Sequence, residues 1–344
     1  MNYRASVIGC GRVGCAFDDD PRRGYVSTHA GAYVRTPGVE LVALCDIDQE
    51  KLDRYGEKFA VRGRYTNALA MLRAEHPDIV SICTWSDTHL DFVRAAVDHG
   101  VKAIFCEKPI ADSLDAADEM IRLCTEKRVM LIIDHQRRFD PFQQQLSAFF
   151  RDGGLGRLRQ ATCYYVAGVA NTGTHLFDLL RFYIGDVAWV QGRVSKIPAP
   201  NPSDPNLDGW ISFANGPTAA IQACDVKDFS IFEICLLGTK GRMRVTASGS
   251  EVVFEEARES HRFAGYKELY GAPSPIRPEG QREFMLFGVA HLLDCLKHNH
   301  PPVSSGQDGR CALEIICALQ ESAAEGGAVV HLPLATTQFK IQSR

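Results

Sequence analysis

Two patterns of apolar and polar positions divide the chain. Up to about residue 135, short near-continuous apolar runs at residues 5–8, 41–45, 79–84, 102–106 and 129–133 predict strands. Between them, one helix opens after Ser86-Asp87 with Leu90, Val93 and Val97 on one face, and another opens at Ser113 with Leu114, Ala117, Ile121 and Cys124. Ser86 or Asp87, and Ser113, are N-cap candidates, because their side-chain oxygens accept the orphan N–H groups of a first helical turn. Strands apolar along their whole length, alternating with helices, predict a parallel sheet covered on both faces. From about residue 157 the strands lengthen, at 158–166, 189–195, 210–213, 218–224, 231–237 and 242–246. Asn215-Gly216 and Thr239-Lys240-Gly241 read as hairpin turns, where positive φ is tolerated. Residues 197–205, rich in Pro, Asn and Ser, read as a loop. Two late helices follow, one over about 282–297 with Leu286, Val289, Leu293 and Leu296, the other after Ser305-Gly306 with Leu313, Ile316 and Leu319.

The predicted organisation is therefore two domains. Residues 1–135 form an α/β doubly wound parallel sheet, and residues 136–344 form an α+β domain with a large, mostly antiparallel, open-faced sheet. Ligands of a doubly wound sheet bind at the carboxyl ends of its strands. The first such end carries Gly9-Cys10-Gly11-Arg12-Val13-Gly14, a G-x-G-x-x-G turn, and the second ends on Asp46. Glycines let the backbone approach a pyrophosphate, the following N–H groups attract it, and an acid at the second strand end accepts bonds from ribose hydroxyls. The pairing predicts a dinucleotide site of the Rossmann type. Thr84 and Glu107-Lys108-Pro109 fall at further strand ends of the same edge. A lysine fixed there beside a nicotinamide is suited to hydrogen-bonding a substrate hydroxyl. In the second domain, Asn171, His175 and Asp178 stand four and three residues apart and share one face if they open a helix. Free histidine titrates near neutrality, so a histidine at 175 suits proton exchange with an alcohol or ketone.

Bulk properties narrow the partners. The chain has 344 residues, 45% hydrophobic and 23% charged, with a net charge of −4. That balance gives no reason to expect nucleic acid or an anionic membrane surface as partner. No apolar run is long enough to span a bilayer, and the first strand begins so early that no cleaved leader is expected. None of the twelve cysteines forms C-x-x-C, and most fall in predicted strands and helices, so they read as buried thiols in a reducing cytoplasm. No metal-ligand spacing is apparent.

Taken in order, these residues resemble the Gfo/Idh/MocA family, that of glucose–fructose oxidoreductase and inositol dehydrogenase. The resemblance rests on the glycine turn, Cys45-Asp46-Ile47-Asp48, Thr84 followed by His89, Glu107-Lys108-Pro109 and Gln136-Arg137-Arg138-Phe139-Asp140-Pro141. It continues through Gly173-Thr174-His175 to Asp178, Leu179-Leu180-Arg181, Gly185-Asp186 and Gly238-Thr239-Lys240-Gly241-Arg242. It implies NAD(P)-dependent oxidation or reduction at a hydroxyl or keto carbon of a sugar, sugar nucleotide or cyclitol. Lys108 and His175 match the family's catalytic lysine and histidine, with Asn171, Arg138 and Asp178 as substrate-binding candidates. Gly9, Gly11, Arg12, Val13, Gly14, Asp46, Thr84, His89, Glu107 and Lys108 are the cofactor-binding candidates. The resemblance also implies a homodimer or homotetramer through the open sheet of the second domain.

Three departures stand out. The family's aspartate four residues before the histidine is Asn171 here, an amide that cannot share charge with an imidazolium. Residues 17–28, with Asp18-Asp19-Asp20-Pro21-Arg22-Arg23-Gly24, read as an insertion after the glycine turn, either a loop beside cofactor or substrate or a solvated excursion. Gln136 replaces an asparagine. Asp46 would repel a 2′-phosphate, which favours NAD over NADP, with Arg12 the nearby counterweight. Two other readings stay open: NAD-assisted elimination or glycosidic cleavage through a transient keto-sugar, and a non-catalytic cofactor-binding regulator.

Overall fold

The computed structural model describes residues 2–334 and 337–342. It divides into two compact units, Met1–Asp140 with Arg282–Cys311, and Pro141–Gln281 with Ala312–Arg344. The first unit contains β1 (Tyr3–Ile8), α1 (His29–Arg35), β2 (Val39–Cys45), α2 (Gln49–Lys58), β3 (Gly63–Tyr65), α3 (Ala68–Glu75) and β4 (Ile79–Ile82). It continues with α4 (His89–Asp98), β5 (Ala103–Cys106), α5 (Leu114–Lys127) and β6 (Met130–Ile133). The six strands run parallel in the order β3-β2-β1-β4-β5-β6, the doubly wound arrangement with its switch point between β1 and β4. β4 and β5 are buried at every residue, as strands covered on both faces must be. Thr28, Asp48, Asn67 and Ser113 each cap a helix by accepting a first-turn N–H. The Ser86 and Asp87 caps do not form: residues Ser86–Thr88 make a short 3-10 turn, and α4 starts at His89 with no side-chain cap.

The second unit contains α6 (Pro141–Arg151), β7 (Leu158–Val166), α7 (Thr174–Ile184), β8 (Val187–Val194), β9 (Leu207–Phe213), β10 (Thr218–Cys224), β11 (Glu233–Gly238) and β12 (Gly241–Thr246). Two strands unforeseen in the sequence, β13 (Glu251–Glu259) and β14 (Lys267–Ala272), extend the sheet. After them in the chain come α8 (Phe284–His298), which belongs to the first unit, α9 (Gly306–Ala324), which begins there, and β15 (Val330–His331). The nine strands are ordered β14-β13-β12-β11-β7-β10-β9-β8-β15, and only the β7–β10 pair is parallel. Burial alternates along β7, β9 and β12, so this sheet packs one face and leaves the other open.

α8 departs from the sequence-based division, which gave everything after residue 135 to the second domain. Met285, Val289 and Leu292 join the core of the first unit with Phe105, Ile132 and Phe139. The contact is close: a Cβ at Gly288 would lie 3.0 Å from Phe105 and 3.2 Å from Phe139. Arg138 secures the same segment. It is 5% exposed, donates from Nη1 to the Val303 carbonyl at 3.0 Å and pairs with Asp308 at 3.0 Å. All twelve cysteines are free thiols. Among the described residues, no helix is long and apolar enough to cross a membrane.

Candidate active site

β1 delivers the chain into the glycine turn. Gly9 has φ +96°, and its N–H donates to the Cys45 carbonyl at 2.8 Å. A Cβ at Gly9 would lie 2.7 Å from the Cys83 carbonyl oxygen, and one at Gly14 would overlap the Gly9 carbonyl. Gly11 differs: a Cβ there meets nothing within 4 Å. The first and last glycines are thus required by protein packing, whereas the middle one leaves bare backbone facing open space, as a pyrophosphate requires. Asp46 is built into this turn. Its Oδ2 accepts from the Cys10 N–H at 2.7 Å and its Oδ1 from the Asp48 N–H at 3.0 Å. Lys51 Nζ lies 4.0 Å from Asp46 and 3.3 Å from Asp48. Arg12 is exposed and Val13 half-buried on the turn itself. Bare backbone backed by a half-buried acid fits a dinucleotide whose ribose hydroxyls are free.

The helix after the turn is split by the insertion. Cys15 and Ala16 donate to the Gly11 carbonyl at 3.0 Å, but His29 and Ala30 then donate to Val13 and Gly14 at 3.0 and 3.1 Å. α1 therefore stacks on the glycine turn as though the intervening residues were looped out. Asp18 closes the neck of the loop, accepting from the Ser27 N–H at 2.7 Å and the Thr28 hydroxyl at 2.5 Å. Asp19 ties the loop to α2 through Lys58 at 2.6 Å, Arg54 at 2.7 Å and Tyr55 at 2.9 Å. Arg23 lies 3.7 Å above the Phe17 ring, while Arg22 is exposed. The insertion is a pinned strap against α2.

The β4 and β5 exits carry the remaining groups of this unit. The Thr84 hydroxyl accepts from Thr88 at 2.8 Å. His89, expected at the cofactor, is 1% exposed, and its ring nitrogens face the Thr84 and Ile110 carbonyls at 3.2 and 3.0 Å. It links two loops, and burial pushes its imidazole below the usual range. Glu107 is also buried. Its Oε1 is 3.2 Å from His29 Nε2, its Oε2 accepts from the Lys108 N–H at 3.2 Å, and a carboxylate oxygen of Asp134 lies within 4.8 Å. Lys108 follows directly, half-buried at the strand end. Trp85, 53% exposed beside Thr84, went unremarked in the sequence, although an apolar residue just past a strand end is its only local signal.

In the second unit β7 leads to a π-helical turn at Val169–Gly173, then to α7. Asn171 thus lies in this wider turn, not in the regular α-helix its spacing to His175 suggests. Its Nδ2 donates to the Ala167 carbonyl at 3.2 Å. His175 is half-buried in the first turn of α7, and Asp178 is 1% exposed. The organiser is a residue the sequence did not offer. Asp204, 2% exposed, accepts from the Ala170 N–H at 2.7 Å and the Asn171 N–H at 2.8 Å. Gly168 has φ +97°, and a Cβ there would overlap this carboxylate. Asp204 comes from the loop read at 197–205, and nothing local marks it. Asp204→Ala is expected to cost about 1–2 kcal/mol, as loss of a helix N-cap does. Denaturant unfolding measures it, and an unchanged midpoint would refute the capping role.

A family model described as an oxidoreductase family with an NAD-binding Rossmann fold matches residues 4–135. The chain is 28% identical to D-apiose dehydrogenase of Paraburkholderia graminis, over 95% of this chain and 89% of that protein. It is 30% identical to D-glucoside 3-dehydrogenase of Escherichia coli, over 69% of this chain and 75% of that protein. Its fold superposes with a TM-score of 0.76 on the WlbA dehydrogenase of Bordetella pertussis in complex with NADH and UDP-GlcNAcA. That match has 19% identity and covers 97% of this chain and all (100%) of the other. The glycine turn, the acid bound into it and these likenesses agree: the chain belongs to the Gfo/Idh/MocA oxidoreductase family, and its first unit carries that family's NAD-binding Rossmann fold.

Proposed function

We propose that this protein is an NAD-dependent dehydrogenase that oxidises a hydroxyl of a sugar, sugar nucleotide or cyclitol, or reduces the corresponding ketone. The observation that carries the reading is the placement of Lys108 at the β5 exit, on the same carboxyl edge as the glycine turn and Asp46. NAD, with its pyrophosphate held by the bare backbone at Gly11, would supply the hydride acceptor. In this reading Lys108 donates a hydrogen bond to the reacting oxygen and stabilises its developing negative charge. His175 takes the proton of the alcohol, or returns it to the ketone. Asn171 hydrogen-bonds substrate without adding charge to His175, and Thr84 lines the nicotinamide side. The relatives named above act on apiose and on a D-glucoside, which supports a carbohydrate substrate.

The open sheet face supports self-association. Strand register puts Trp210, Val253 and Leu269 on one side of the sheet, 50%, 40% and 36% exposed. Apolar groups spread over a solvent-facing sheet suit contact with a second copy. Twelve free cysteines suit a reducing cytoplasm.

The test is a panel of pentoses, glucosides, sugar nucleotides and inositols, read by absorbance of the reduced cofactor. NAD is expected to exceed NADP in kcat/KM by at least about tenfold, because Asp46 repels a 2′-phosphate. Asp46→Ala should narrow that ratio. A wild-type preference for NADP would refute the assignment of Asp46, and no turnover with any of these substrates would refute the dehydrogenase.

A further inference from the structure

His29 of α1, Glu107 at the β5 exit and Asp134 at the β6 exit offer ligand or proton-bearing atoms all within 4.8 Å of one another. The Glu107 and Asp134 carboxyls, 8% and 4% exposed, bring oxygens within that distance of each other. Two carboxyls in such contact cannot both ionise, so they share a proton. The geometry says which one carries it. Glu107 also accepts from His29 and from the Lys108 N–H, whereas Asp134 Oδ1 has no hydrogen-bond partner. A bare carboxylate oxygen in a buried site is costly, so the proton belongs to Asp134 and the charge to Glu107. Burial and the Glu107 charge push Asp134 well above the usual range. Burial would raise Glu107 too, but the His29 bond and the Lys108 charge hold it low.

The hydrogen-bond chain beyond is consistent. His29 Nδ1 and the Tyr33 hydroxyl both meet Ser81 Oγ at 2.8 Å. Tyr33 donating to Ser81, and Ser81 to Nδ1, leaves the Nε2 proton for Glu107. Other titratable groups near the cluster stay neutral: burial raises the Tyr33 hydroxyl and the Cys83 and Cys106 thiols, and lowers His89.

We propose that His29 and a protonated Asp134 are positioning residues for Lys108, fixing one negative charge on Glu107 at its root so that its side chain works as a cation. Lys108 then serves as hydrogen-bond donor and charge stabiliser, and proton acceptance falls to His175. This rests on the reading that Lys108 contacts the reacting oxygen, but the charge arrangement is measurable without a substrate.

Infrared spectroscopy of the free protein at about pH 8 should show the C=O stretch of a protonated carboxyl, lost in Asp134→Asn, since burial keeps such a group neutral there. Its absence in the wild type, or its survival in Asp134→Asn, would overturn the arrangement whether or not a substrate is known. Glu107→Gln removes the charge outright, so the Lys108 ammonium loses its proton at lower pH and the alkaline fall of kcat should move down by about one pH unit. His29→Gln, which keeps an N–H donor to Glu107, should keep the wild-type profile shape. A Glu107→Gln profile parallel to wild type would overturn the proposal. If Glu107→Gln does not fold, the infrared comparison decides.

Discussion

Lys108→Met is expected to lower kcat by about a thousandfold, the scale on which a transition-state charge stabiliser or proton-transfer group acts. NAD affinity should change little, because the glycine turn and Asp46 lie at other strand ends and do not depend on the ammonium. Methionine keeps most of the side-chain length and removes the charge, so the loss reports on charge and not on packing. The backbone bond from the residue 108 N–H to Glu107 survives the substitution. Steady-state kinetics with cofactor binding followed by fluorescence separates the two effects. Turnover within about tenfold of wild type would remove Lys108 from the chemistry.

The second large effect concerns the cofactor. Gly11→Val is expected to weaken NAD binding by at least about a hundredfold, roughly 2.7 kcal/mol, while the melting temperature stays unchanged. The reason is local: a Cβ at Gly11 points into open space, with nothing within 4 Å, so a side chain there obstructs what approaches from outside. Gly14→Ala should behave in the opposite way, because its Cβ would overlap the Gly9 carbonyl and the turn itself would have to open. Calorimetric titration with NAD and thermal unfolding distinguish the variants. Undiminished NAD binding by Gly11→Val would mean that the cofactor does not lie over this turn.

Local chemistry made much of the first sheet readable. Apolar runs too short for helices, a glycine turn after the first and an acid after the second leave few alternatives to a parallel sheet. The insertion was visible because Asp-Asp-Asp-Pro cannot continue a helix, although its anchor on α2 depends on pairings that spacing does not encode. β13 and β14 were missed because their exposed positions are filled with Glu, Arg and Lys, which blur a strand's alternation. The periodicity of α8 gave its apolar face but not what that face covers, and it covers Phe105 and Phe139. Arg138 looked like a substrate ligand beside a conspicuous motif, yet its guanidinium pairs with Asp308, 170 positions later in the chain. His29, Asp134 and Asp204 are the clearest limit. Each acts through partners distant in sequence, so no local pattern distinguishes them from ordinary polar residues.

The most direct test of the central claim is the stoichiometry of NADH to sugar consumed, followed over a full progress curve with the best substrate of the panel. One NADH formed per sugar oxidised, with the keto product accumulating in step, is the predicted result. Sugar consumed without net NADH would contradict it and indicate transient oxidation followed by elimination or cleavage.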